Sequence, residues 1–138
     1  MESREILEQK YQALPPEIKY IVELLAYSCC PISKSTLERL ELPFEKSKSK
    51  RRAIILSLKD YPEIIWPSKN ILDSYYVLEP HLSLHLLLQL DKQKRDFKKE
   101  IRNTNFWNAA NYLGKRVRDT LLKYYYTQTP FSYLSVAN

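Results

Sequence analysis

The densest group of residues able to do chemistry is a cationic run between positions 46 and 59. This segment carries six basic side chains and no acidic one, in a chain whose 22 lysines and arginines exceed its 16 aspartates and glutamates by six. Lysine ammonium groups act as point charges on phosphate, whereas an arginine guanidinium can donate two hydrogen bonds to a guanine edge. The run favours a polyanion as ligand, and the alternative is a solvated, lysine-rich surface.

Side chains suited to catalysis are sparse. His81 and His85 are four residues apart, but no Glu stands between them as in the zinc-protease motif, and no third ligand is near in sequence. Cys29 and Cys30 lie at the predicted end of a helix, where a buried thiol is unreactive. The single glycine, Gly114, excludes the Gly-rich loops that cradle phosphates. We therefore predict no enzyme, no metal site, no cofactor and no small-molecule substrate.

Membrane and targeting segments are not evident in the sequence. The first ten residues are charged rather than apolar, and no run of about 18 apolar residues could cross a bilayer. Two adjacent cysteines cannot build a disulfide framework, which favours a reducing compartment. We expect a cytoplasmic protein with no membrane partner.

Helices are predicted to position the cationic run. Apolar residues at helical spacing after Pro16 indicate a first helix that ends before Pro31. Ser35 and Glu38 have the S-x-x-E spacing of a capping box and indicate a short second helix, which ends before Pro43.

A third helix, from Ser47 to Lys59, is predicted to carry the cations. On a helical wheel Lys48, Arg52 and Lys59 fall within about 40° of one another, with Arg51 flanking them. The apolar residues at positions 54, 58 and 61 share another face. One side of this helix is expected to pack against the protein while the other presents cations.

The pattern changes from helical to extended after Pro62. Glu63 to Trp66 and Ile71 to Leu78 are rich in β-branched and aromatic residues, and the residues between them have turn composition. A β-hairpin is therefore predicted. The fold class is mainly α with a small β-hairpin.

The order of three helices followed by a hairpin, over residues 15–79, resembles a winged helix-turn-helix domain. The resemblance covers about half of the chain. It implies that residues 1–79 form this domain with an N-terminal lead-in, that the third helix enters the DNA major groove, and that the hairpin touches the neighbouring backbone. The residues implied to lie toward DNA are Lys46, Ser47, Lys48, Lys50, Arg51, Arg52, Lys59 and Lys69.

Residues 80–138 are predicted to form a helical C-terminal extension with a regular apolar stripe. Thr104 is predicted to cap its long last helix. The stripe, with spacings of three and four, consists of Phe106, Ala110, Leu113, Val117, Leu121 and Tyr124. It is expected either to dock on the winged part or to form an interface with a protein partner or a second copy of the chain.

The predicted function is a non-catalytic module that binds double-stranded DNA through residues 46–59, as a transcriptional regulator or as part of a larger DNA-processing protein. The alternative is a winged-helix protein-interaction or spacer module within a larger regulatory or helicase-like protein. Two observations favour that alternative. The hairpin region carries Lys69 among Asp60, Glu63, Asp73 and Glu79, and the chain contains 11 tyrosines, a residue common at partner surfaces.

Overall fold

The computed structural model describes residues 4–69 and 74–137, with side chains described over 4–68 and 74–127. Within these ranges the chain is mainly helical, with one small three-stranded antiparallel sheet. The predicted class, mainly α with a small β region, is confirmed.

Two helices open the chain, α1 (Arg4–Gln12) and α2 (Pro16–Ser28). The sequence predicted α2 but not α1. Because α1 buries only Leu7 and Tyr11, one helical turn apart, its apolar period is too short to stand out. Helix α2 begins with proline at its first position, as predicted, and ends at Cys29, which adopts the left-handed conformation (φ 56°).

Strand β1 (Ile32–Ser33) leads directly into the short helix α3 (Lys34–Arg39). The N-cap of α3 is Ser33, whose Oγ accepts a hydrogen bond of 3.1 Å from the backbone N–H of Thr36. The predicted cap at Ser35 is therefore wrong. Because β1 pairs with a later strand, the chain turns into α3 directly after β1, two residues before the predicted cap.

Helix α4 (Lys48–Leu56) carries most of the cationic run and continues into a 3₁₀ turn (Ser57–Asp60). Its N-cap is Ser47, whose Oγ accepts from the backbone N–H of Lys50. The segment predicted as one α-helix over 47–59 is thus helical throughout, but its last turn is tighter.

The sheet joins the hairpin to β1. Strands β2 (Ile65–Lys69) and β3 (Ser74–Leu78) pair antiparallel, so the predicted hairpin is confirmed, and positions 70–73 lie outside the described residues. The predicted bounds of the first strand, 63–66, are wrong, because residues 67–69, which were expected in the turn, pair with residues 74–76 and belong to β2. On its other edge β3 pairs with β1, with Ile32 opposite Tyr76, so the strand order is β1-β3-β2. The sequence did not predict β1, because a two-residue strand is defined by its partner rather than by its own pattern.

Four helices complete the described chain. They are α5 (Pro80–Lys92), α6 (Phe97–Glu100), α7 (Thr104–Ala110) and α8 (Tyr112–Ala137). The N-cap of α7 is Asn103, not Thr104, since the Asn103 side chain accepts from the backbone N–H of Phe106. The long helix predicted from position 104 is interrupted at Asn111.

Helix α2 lies at the centre of the core. Ile21, Val22, Leu24 and Ala26 have no solvent exposure, and α2 packs against α4, α5, α8 and β3. The buried cluster draws residues from both sides of position 79. Helices α3 and α4 pack on each other at one edge of this core, which orients α4.

Helix α8 is anchored to the end of α2 by a glycine and a buried arginine. A Cβ at Gly114 would overlap the carbonyl oxygen of Ser28. Arg118 is buried, donates a 2.8 Å hydrogen bond to the carbonyl oxygen of Tyr27 and lies 3.9 Å from the centre of the Tyr27 ring. These contacts decide which face of α8 turns inward.

The predicted apolar stripe is therefore divided. Phe106 packs against the core and Ala110 is half-buried. The remaining residues are exposed, by 69% for Leu113 and 66% for Tyr124, and they are Leu113, Val117, Leu121 and Tyr124. For these four, the expectation that the stripe docks on the rest of the chain is wrong, because Gly114 and Arg118 occupy the inward face.

Candidate nucleic-acid interface

The inward face of the α4 segment consists of Arg51, Ile55 and Leu58, which are all buried. The sequence assigned Ile54 to that face, but Ile54 is only half-buried. The buried face is thus rotated by about one residue from the expected one, which brings an arginine into it.

Arg51 supports the turn between α3 and α4 instead of facing solvent. The residue is 6% exposed, and its Nη1 donates hydrogen bonds of 2.9 Å to the carbonyl oxygens of Glu45 and Lys46. These bonds satisfy two carbonyl groups of the turn. The prediction that Arg51 lies toward DNA is therefore wrong, because a guanidinium can reach back to a turn that the helical wheel does not include.

The adjacent arginines 51 and 52 are expected to differ sharply in their effect on stability. Arg51→Met should lower the free energy of unfolding by about 2 kcal/mol, because it leaves two partly buried carbonyl groups without a charged donor. Arg52→Met, one residue along the same helix, should lower it by less than about 1 kcal/mol, since its side chain is 57% exposed and makes a single ion pair, to Glu38. Urea unfolding followed by circular dichroism measures both, and equal losses would contradict the assignment.

The outward face of α4 combines charged, polar and apolar side chains. The exposed residues that share this face are Lys48, Ser49, Arg52, Ala53 and Leu56. The sequence predicted the two cations of this face but not Ser49, Ala53 and Leu56. The exposure of Leu56, which is 43% exposed, could have been inferred from the sequence, because Leu56 does not share a helix face with the buried residues at 55 and 58.

The structure brings five of the predicted cations to the surface of this segment. They are Lys46, Lys48, Lys50, Arg52 and Lys59. Ser47 is half-buried and caps α4, so its hydroxyl positions the helix start. The side chain of Lys69 lies outside the described residues.

Glu38 of α3 faces Arg52. Arg52 Nε lies 3.3 Å from Glu38 Oε1, and this oxygen is buried without a well-aligned hydrogen bond among the described residues. The side chain of Arg52 remains 57% exposed. A guanidinium has five N–H donors, so an ion pair through Nε leaves donors for a ligand.

Other candidate reactive groups have structural contacts. His81 Nδ1 lies 2.8 Å from Glu79 Oε1, and His85 Nε2 lies 3.2 Å from Glu8 Oε1. Among the described residues, no group of three or more His, Cys, Asp or Glu side chains could hold a metal ion. None of the described helices combines the length and apolar character that a bilayer crossing requires.

The two adjacent thiols lie in partly buried surroundings. Burial raises the pKa of Cys29 to about 11 and outweighs the nearby guanidinium of Arg118, which acts in the opposite direction. Burial also raises the pKa of Cys30. Both groups are therefore thiols rather than nucleophilic thiolates at neutral pH.

The candidate interface is therefore the outward face of α4 with the exposed lysines around it. No protein-family model, curated protein or solved structure matches this chain. The functional interpretation rests on the residues themselves.

Proposed function

We propose that residues 16–78 form a winged helix-turn-helix domain that binds double-stranded DNA through the outward face of α4. The order helix, strand, helix, helix, strand, strand supports this proposal, and so does the sheet order β1-β3-β2, in which the hairpin extends from the end of α4. In this arrangement α3 supports α4 from behind, and the face opposite the core is open to a ligand.

The observation that carries the proposal is the composition of that open face. An α-helix fits the major groove, which is about 12 Å wide. Lysines at the start of α4 match the phosphates that border the groove, while Arg52 can donate to a guanine edge and Leu56 can contact a thymine methyl group.

The contact between Arg52 and Glu38 fits a residue that binds DNA reversibly. The pair is open to solvent on its arginine side, where the side chain is 57% exposed, so exchanging Glu38 for a base edge costs the fold at most about 1 kcal/mol. The carboxylate also repels phosphate, which favours a position of Arg52 inside the groove over one on the backbone.

Removing two cations from this face is expected to weaken binding to a labelled 25-base-pair duplex of mixed sequence about 30-fold. The variant Lys48→Ala/Arg52→Ala loses two DNA contacts, each worth about 1 kcal/mol. Arg51 is left in place because it supports the turn. The matched control, Lys92→Ala/Lys98→Ala, removes the same charge from exposed residues of α5 and α6.

Fluorescence anisotropy at one fixed salt concentration measures the dissociation constants. The control should bind within about threefold of the wild type, since bulk charge alone has a small effect. Equal weakening in both variants would show that net charge, not the α4 face, determines binding. No binding by the wild type would reject the proposed function.

A further inference from the structure

The anchor of α8 on the end of α2 fixes the rotation of the helix and leaves the exposed apolar residues Leu113, Val117, Leu121 and Tyr124 beside the contact rather than under it. Gly114 lies against the Ser28 carbonyl and Arg118 against Tyr27, so α8 cannot rotate its apolar residues inward without breaking both contacts. Solvent-exposed helices of a monomer usually turn their apolar side toward the core. In α8 four apolar residues instead lie to one side of the anchored face and stay exposed, which favours an occupant outside the single chain.

Two adjoining grooves run beside this face. One, of about 370 Å³, lies between the end of α2, β3, α5 and Leu121, and the other, of about 610 Å³, lies between β3, α7 and Leu113. They share Cys30, Pro31 and Val77. Every residue that lines either groove is uncharged, so filling them would not bury an unpaired charge.

The apolar area available is enough for a stable interface. Two tyrosines, at 112 and 124, are about two-thirds exposed, and three aliphatic residues of α8 add to them. Together they expose on the order of 600 Å², given that a buried tyrosine contributes about 150–250 Å². A standard interface buries about 800 Å² per partner, of which rather more than half is apolar.

We propose that the occupant is a second copy of this chain, with the α8 face of each protomer packed on the α8 face and groove of the other around a two-fold axis. A symmetric dimer needs one surface that supplies both the protruding residues and the grooves that receive them. Here Leu113 and Leu121 belong to the protruding face and also line the two grooves. Because the groove lining is uncharged, it offers no charge complementarity to a charged partner.

The dimer goes beyond the proposed DNA binding and does not depend on it. Sedimentation equilibrium of the full chain at micromolar concentrations, without DNA, should give twice the monomer mass of 16.5 kDa. Leu113→Glu/Leu121→Glu should give the monomer mass, because burying four carboxylates at the interface is unfavourable. The control Ile6→Glu changes a similarly exposed apolar residue of α1 that lines neither groove, and it should remain dimeric.

Both leucines are exposed in the single chain, so the double variant should keep its helical circular dichroism signal. If it does not, Tyr124→Ala serves as a milder variant that should weaken self-association at least tenfold. A monomeric wild type, or a folded Leu113→Glu/Leu121→Glu variant that still dimerises, would overturn the proposal and assign this face to a different partner.

Discussion

The affinity of the chain for a mixed-sequence DNA duplex is expected to fall about 150-fold between 50 and 200 mM monovalent salt. Each phosphate that a cation neutralises releases counterions and adds about −0.9 to the slope of log affinity against log salt concentration. The four exposed lysines of the α4 segment, Lys46, Lys48, Lys50 and Lys59, are assigned to phosphates and Arg52 to a base edge, which gives a slope of about −3.6. Anisotropy titrations at four or five salt concentrations measure this slope.

Two variants test whether the salt slope depends on the residues assigned to DNA contact. Lys48→Ala/Arg52→Ala leaves three of the four lysines assigned to phosphates, so its slope should fall to about −2.7. Arg51→Met should keep the wild-type slope, because its guanidinium binds the turn carbonyls and not a phosphate. A wild-type slope shallower than about −2, or the same slope in the wild type and the double variant, would contradict DNA binding through α4.

Replacement of Arg95 by methionine is expected to lower the free energy of unfolding by about 3 kcal/mol. Arg95 Nε and Nη2 donate to the two carboxylate oxygens of Glu100 at 2.6 and 2.9 Å, and Nη1 donates to Glu23 Oε1 at 2.9 Å. The guanidinium also lies 4.5 Å from the centre of the Phe97 ring and 5.4 Å from that of Tyr20. It thereby ties the loop after α5 to α2 and α6.

The size of this effect follows from what the substitution leaves behind. Glu23 and Glu100 are partly buried, and removing one partner of a buried ion pair costs about 3–5 kcal/mol, less where water can reach the remaining charge. Lys98→Met, at an exposed position of α6, is the matched control and should change stability by less than about 0.5 kcal/mol. A loss below about 1 kcal/mol for Arg95→Met in urea unfolding would show that the network is not structural.

The predictable parts of the fold are those set by local pattern. Helix α2 follows from apolar spacing after Pro16, and β3 with the first two residues of β2 follows from β-branched and aromatic residues. Strand β1 could not be predicted, since its two residues become a strand only through pairing with Tyr75 and Tyr76, more than 40 positions later.

The candidate site was predictable in its position but not in its details. The number of cations in 46–59 identified α4, yet the burial of Arg51 depends on carbonyl groups of a turn whose shape the sequence does not specify. The predicted orientation of the apolar stripe on α8 was wrong for a similar reason. The general tendency of a helix to pack its apolar side on the core does not predict that Gly114 and Arg118 face the core here.

The different positions of residues 51 and 52 have a consequence for evolution and for engineering. Side chains at 49, 52, 53 and 56 lie outside the core, so mutations there can change target preference while the scaffold remains folded. A combinatorial library restricted to these four codons would therefore sample new specificities among soluble members. A library that also randomised codon 51 would lose much of its diversity to misfolded ones.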